Sequence, residues 1–257
     1  MNSLFRDSAI ELGVSSLITS LVLPYSTYPV ASAMLTHLAM QTVANTTFRG
    51  MGEFVAFCEQ SRETRLGRMM IIATHVLPPI DFQLVHGNLL NTLIHEFGHA
   101  TANLLVYQNS VPNIQIDLLS QTGSVAANAA TLSNFGSLLG KTGARIFVTA
   151  MGPLAVLSWG VMCIAMAKIG PPKLKPYLYL MGCCSFASTG LYAFSTPTYE
   201  RAGHDFSILK TYVGLPPIPT SIFLFMIAAY PLILFLKEVE SQAASPFQVS
   251  TPDLLLQ

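Results

Sequence analysis

The pentapeptide His95-Glu96-Phe97-Gly98-His99 contains the residue types that bind and use a metal ion. On a helix, residues four positions apart lie on the same face, one turn apart. Two imidazoles so placed can coordinate one Zn²⁺ ion, and the carboxylate beside the first can then reach a water molecule on that metal. Because zinc lowers the pKa of such a water toward neutrality, the carboxylate can accept its proton. The spacing therefore predicts a zinc hydrolase, with His95 and His99 as metal ligands and Glu96 as the catalytic base.

The surroundings of this pentapeptide are apolar. Glu96 is the only charged residue between positions 84 and 107. An ordinary amphipathic helix with two structural histidines and a solvated glutamate would leave these polar groups uncompensated in an apolar stretch, at a substantial cost in free energy. A bound metal ion compensates them directly, so the pattern favours a metal site.

The composition is that of an integral membrane protein. The chain has 257 residues, of which 51% are hydrophobic and 10% charged, with a formal net charge of zero. Its mean hydropathy is +0.51, whereas soluble domains carry about 25% charged residues. We therefore expect a multi-pass protein whose surroundings are the lipid bilayer. Nucleic acid is excluded as a partner, because the sequence has no basic patch. The oligomeric state is left open.

Apolar and polar stretches divide the chain into four parts. Residues 1–48 are predicted to form an apolar hairpin or two short membrane helices, and residues 49–68 a polar loop. Residues 69–240 are predicted to be a membrane metalloprotease core, followed by a flexible tail over 241–257. The predicted fold is mainly α, a polytopic helical bundle with about five to six membrane segments.

Two local patterns refine this prediction. An apolar piece over 69–77 is expected to end at Pro78-Pro79, and residues 88–107 form a candidate span that carries the pentapeptide. After it, Ile114, Ile116 and Leu118 alternate with polar residues, which is the period of a strand. We expect a short strand or β-hairpin insert following the helix that carries the pentapeptide.

A catalytic zinc site needs a third protein ligand and one open position. No suitable side chain follows His99 closely, and the candidates lie in the segment 200–206 (ERAGHDF). Asp205, His204 and Glu200 are each chemically adequate ligands. Asp205 could instead be a helix N-cap, and His204 an ordinary surface histidine.

Three motifs resemble the site-2-protease family of intramembrane zinc metalloproteases, and they occur in that family's order. These are residues 93–100 (LIHEFGHA), 150–155 (AMGPLA) and 203–205 (GHD), and the resemblance extends over roughly residues 85 to 236. The sequence departs from the family pattern at Phe206, where glycine is usual.

The resemblance implies a ligand set and an activity. Asp205 would be the third zinc ligand beside His95 and His99, and Glu96 would act as general base in an endopeptidase. The substrate would be a transmembrane or membrane-proximal protein segment, and a strand edge of the insert would pair with it. Two alternatives stay open: a non-proteolytic zinc-binding scaffold or transporter, and a membrane gluzincin with Glu200 as third ligand.

Overall fold

The computed structural model describes residues 17, 18, 20–27, 39, 64–118, 120–128, 131–196 and 204–244. Most of the predicted N-terminal segment (1–48), polar loop (49–68) and tail (241–257) therefore lies outside the described residues. Glu200 lies outside them as well.

The described chain is mainly helical, with one small antiparallel sheet, as the sequence predicts. In chain order, its elements are α1 (Arg65–Phe82), α2 (Asn88–Val106), β1 (Asn113–Asp117), β2 (Thr122–Ala126), α3 (Asn134–Ile169), α4 (Lys175–Phe194), α5 (Asp205–Val213) and α6 (Pro217–Ala244).

Two helices of the described chain, α3 and α6, are long and apolar enough to cross a membrane. The sequence predicted about five to six membrane segments, so this count is smaller. Helices α2 and α4 have sufficient length, but α2 contains the polar residues of the metal motif. Helix α4 includes tyrosine, serine, threonine and glycine, which lower its hydropathy. Length and composition alone therefore identify fewer spans than the apolar stretches suggested.

Helix α1 does not end at Pro78-Pro79, in contrast to the sequence-based expectation. It begins after Thr64, whose side chain accepts a hydrogen bond from the backbone N–H of Gly67 at 2.9 Å, and continues to Phe82. A π-helical segment, Gln83–Gly87, then joins it to α2. This segment has wider turns than an α-helix, and the helical path runs without a break from α1 through it into α2.

The predicted strand insert is an antiparallel hairpin in which Ile114 pairs with Val125 and Ile116 with Gly123. The alternation expected from the sequence is present, because Ile114 and Ile116 are buried and Gln115 is exposed. The buried face packs on α2 through Leu89 and Leu93.

Helix α3 is the central packing partner around the helix that carries the pentapeptide. Helix α3 packs against both α2 and α4, and α5 packs against α3. Helix α6 packs mainly against α4, and α1 contacts both of these helices. The α2–α3 contact is close: a Cβ atom at Gly98 would lie 2.8 Å from the Cβ atom of Ala155 and would also overlap the backbone of Met151. Glycine at position 98 thus allows α3 to approach the helix that carries the two histidines.

Candidate metal centre

Helix α2 places His95 and His99 side by side, as the four-residue spacing predicts. Their Nε2 atoms are 3.1 Å apart, and the ring centroids are 4.7 Å apart with nearly perpendicular planes. Their side chains are 19% and 13% exposed, so both are largely shielded yet reachable from outside.

Asp205, the first residue of α5, meets the two histidines although it is 106 positions beyond His99. Its Oδ2 atom lies 3.0 Å from the His95 Nε2 atom and 3.2 Å from the His99 Nε2 atom. Three lone-pair atoms thus form a nearly equilateral triangle. In a tetrahedral site with metal–nitrogen bonds of about 2.0–2.1 Å, neighbouring ligand atoms are separated by roughly 3.3 Å. The triangle fits one metal ion, and these three residues form a group that could hold it.

The orientation of His99 suits a metal ligand. Its Nδ1 atom lies 2.8 Å from the backbone carbonyl oxygen of Val148 on α3 and donates a hydrogen bond to it. This hydrogen bond leaves the lone pair on Nε2, the atom that faces His95 and Asp205. Metal-binding histidines commonly have such a partner, which fixes both the ring and its tautomer.

Gly152 on α3 leaves room for an ion beside the two histidines. A Cβ atom at this position would lie 2.9 Å from the His95 Nε2 atom and would overlap the His99 Nε2 atom. Any larger residue would therefore fill the space next to the ligand nitrogens. In the sequence, Gly152 stood out as part of the 150–155 motif. The structure explains the glycine, because a side chain at this position would collide with the histidine rings.

Asp205 is buried, with 6% of the residue exposed. Burial by itself raises the pKa of Asp205, but the imidazoles of His95 and His99 beside the carboxylate outweigh it and lower the pKa below its ordinary value. An anionic carboxylate is the form that binds a metal. The backbone N–H of Asp205 donates a hydrogen bond to the Tyr192 hydroxyl oxygen at 3.1 Å.

Glu96 lies next to the ligand cluster but outside it. It is 5% exposed and within electrostatic reach of His95, His99 and Asp205. Strand β2 covers its side chain, because a Cβ atom at Gly123 would lie 2.6 Å from the Glu96 Cγ atom and 2.8 Å from Oε1. The structure therefore brings a buried carboxylate beside the three residues that could hold a metal ion.

The other ligand candidate within the described residues has a different role. The His204 Nδ1 atom accepts a hydrogen bond from the backbone N–H of Ser207 at 3.4 Å, so this histidine is the N-cap of α5. The capping function considered for Asp205 thus belongs to its neighbour. Glu200, the third candidate, is not among the described residues.

Two contacts of the site have no counterpart in the sequence-based prediction. The Val148 carbonyl is a backbone group and carries no sequence signal, and Tyr192 lies in an apolar stretch where an aromatic residue is ordinary.

Comparisons of the chain with protein families, with curated proteins and with solved structures found no match.

Proposed function

We propose that this protein is a zinc endopeptidase that cleaves transmembrane or membrane-proximal segments of other proteins. The observation that carries the proposal is the convergence of His95, His99 and Asp205 beside a buried glutamate. Two histidines and a carboxylate, with space left at Gly152, are a ligand set typical of catalytic zinc. A metal-storage site would not need Glu96, so the intact glutamate favours a hydrolase over a zinc-binding scaffold or transporter.

Each of these residues has its own role in peptide hydrolysis. His95, His99 and Asp205 hold the ion, which when bound would lower the pKa of a water molecule and polarise the peptide carbonyl. Glu96 removes a proton from the attacking water and delivers it to the amine nitrogen as the carbon–nitrogen bond breaks. The water oxygen and its second proton end in the new carboxyl group, and Glu96 returns to its starting charge.

The hairpin supports an extended peptide as substrate. Within the described chain, β2 pairs with β1 alone, whereas β1 also contacts the segment at Ser26 and Thr27. Among the residues that the structure describes, the outer edge of β2 therefore has no strand partner, and the same strand covers Glu96 through Gly123. A substrate strand that paired with this edge would run past the catalytic carboxylate.

The exposed faces of the two longest apolar helices support a membrane location. In their most apolar windows, 33% of α3 and 28% of α6 is buried inside the protein. A core helix of a soluble protein would be mostly buried. The exposed apolar residues of α6 include Ile222, Phe223, Met226, Ile233 and Leu236, a surface that suits lipid better than water. We propose that α2 and α4 cross the bilayer with them, which makes the protein multi-pass.

The Glu96→Gln variant tests the proposed chemistry. The protein is purified in detergent, its zinc is quantified by mass spectrometry, and cleavage of a membrane-spanning reporter protein is followed in lipid nanodiscs. We expect Glu96→Gln to retain zinc and to lose cleavage by at least about 100-fold, because no group then accepts the water proton. Glu240→Gln, an exposed glutamate on α6, is the matched control and should cleave normally. Undiminished cleavage by Glu96→Gln would contradict the assignment of Glu96 as base.

A further inference from the structure

Tyr192, near the end of α4, lies against the candidate metal centre. Its ring centroid is 5.9 Å from that of His95, in an edge-to-face arrangement. The same ring lies 4.4 Å from the His204 ring and 5.6 Å from the Phe206 ring, counted between centroids. Tyr192 thus contacts a metal ligand directly and touches the residues on both sides of Asp205.

The Tyr192 hydroxyl has a hydrogen-bonding capacity that the described contacts leave available. Its oxygen accepts the backbone N–H of Asp205 at 3.1 Å. That N–H belongs to the first turn of α5, where backbone donors have no partner within the helix. A phenolic hydroxyl can accept and donate at the same time, so this bond orients the oxygen and leaves its proton for another acceptor.

A peptide held at the proposed metal ion would lie beside the Tyr192 hydroxyl. The hydroxyl oxygen bonds to the Asp205 backbone and the Tyr192 ring lies against the His95 ring, so the hydroxyl lies beside the ligand cluster. Two other donors near the cluster are engaged elsewhere: the His99 Nδ1 atom donates to the Val148 carbonyl, and the Asn103 side-chain amide donates to the His99 carbonyl at 2.9 Å.

A donor of this kind accelerates hydrolysis of a peptide bond. As water adds to the carbonyl carbon, negative charge develops on the carbonyl oxygen, and a fixed hydrogen-bond donor in a site shielded from water stabilises that charge strongly. The bond from Asp205 holds the Tyr192 oxygen before substrate arrives, so little reorganisation is needed during the reaction.

We propose that Tyr192 is a further catalytic residue, whose hydroxyl donates a hydrogen bond to the carbonyl oxygen of the peptide bond being cleaved. The inference rests on the endopeptidase function proposed above. Tyr192 keeps its proton throughout, and Glu96 alone carries the proton from water to the amine.

The Tyr192→Phe variant removes the hydroxyl and keeps the ring. We expect kcat to fall about 100-fold, as for loss of one oxyanion donor, while KM changes less than about twofold and zinc content equals that of the unmodified protein. Tyr179→Phe is the matched control, because Tyr179 lies on the same helix but in a separate apolar cluster. It should keep its kcat.

Binding of a phosphinic peptide supplies a readout that does not depend on turnover. Its tetrahedral anionic group resembles the charged species formed during hydrolysis, whereas the matching uncleaved peptide does not. By calorimetry, Tyr192→Phe should bind the phosphinic peptide at least about tenfold more weakly and the uncleaved peptide equally well.

The outcomes separate this proposal from the one on which it rests. If the unmodified protein cleaves, Glu96→Gln does not, and Tyr192→Phe matches the unmodified protein in both assays, Tyr192 is not catalytic and the endopeptidase function stands. If Tyr192→Phe loses zinc, the hydroxyl acts by positioning Asp205, and the proposal is overturned. If the zinc-loaded unmodified protein cleaves no membrane-spanning substrate, the endopeptidase function fails and the role of Tyr192 fails with it.

Discussion

At the scale of single residues, local spacing and distant contacts contribute differently to the metal centre. His95 and His99 were predictable because four residues make one helical turn, whatever the rest of the chain does. Asp205 was not predictable from spacing, since 106 residues separate it from His99, and only the resemblance to a known family favoured it over His204 and Glu200. The Val148 carbonyl and the Tyr192 hydroxyl depend on how α3 and α4 pack, which residue types do not encode locally.

The Asp205→Ala variant measures the contribution of the third ligand. Removing this carboxylate leaves two neutral imidazoles, so we expect zinc affinity to fall by at least about 100-fold, or roughly 2.7 kcal/mol. Affinity is measured by competition with a coloured zinc chelator. Asp81→Ala, on α1, serves as control because that carboxylate is not in the ligand group. Equal affinity in Asp205→Ala and the unmodified protein would exclude Asp205 as a ligand.

At the scale of elements, glycines set the distance between α2 and α3. Gly98 on one helix and Gly152 on the other each face atoms that a methyl group would overlap. The first brings the helices together, and the second keeps open the space beside the histidine nitrogens. The sequence suggested close helix packing at Gly98, but the spatial relation of Gly152 to the histidines required the packed structure.

Gly152→Ala should lose metal while the protein stays folded. The added methyl group would occupy space next to the ligand nitrogens, and His99 cannot retreat without breaking its bond to Val148. We expect zinc affinity to fall by at least about tenfold, with the helical circular dichroism spectrum unchanged. Gly143→Ala on the same helix is the control. A Cβ atom at position 143 would lie 3.2 Å from the Leu139 Cβ atom and would not approach the histidines. Normal zinc binding by Gly152→Ala would contradict this steric role.

The hairpin was the best predicted element, since alternating Ile114, Ile116 and Leu118 indicate a strand with one buried face. The sequence did not show that β2 of this hairpin covers the Glu96 side chain. A Gly123→Ala substitution tests this relation: the methyl group would displace the Glu96 carboxylate, whose flexible side chain can move without unfolding the protein.

For Gly123→Ala we expect retained zinc and a kcat lowered by about 100-fold, because a small displacement of a catalytic group is costly. The comparison is Ser124→Ala, whose side chain is exposed on the opposite face of the strand. The same kcat in both variants would show that β2 does not position Glu96.

At the scale of the whole molecule, composition predicted a membrane protein and the structure supports two apolar helices of spanning length. The number of spans was harder to predict, because the polar residues of the pentapeptide and its neighbours lower the hydropathy of α2. Average hydropathy describes a segment, whereas burial of its polar face depends on neighbouring helices.

Extraction from membranes tests the location. If α3 and α6 cross the bilayer, the protein should stay in the membrane pellet after washes with alkaline carbonate or high salt and be released by detergent. Release by carbonate alone would indicate peripheral attachment and would contradict a spanning arrangement. A known peripheral protein and a known spanning protein in the same preparation are the controls.

The separation between the ligands has a consequence for biosynthesis. His95 and His99 emerge from the ribosome long before Asp205, and α3 and α4 lie between them in the chain. A nascent chain that ends before α5 has two of the three ligands and lacks the carboxylate that completes the site. On the proposed function, the three-ligand site, and with it proteolysis, is completed only once α5 has been added to the chain. On that function, a chain that lacks Asp205 would not attack neighbouring membrane proteins during synthesis.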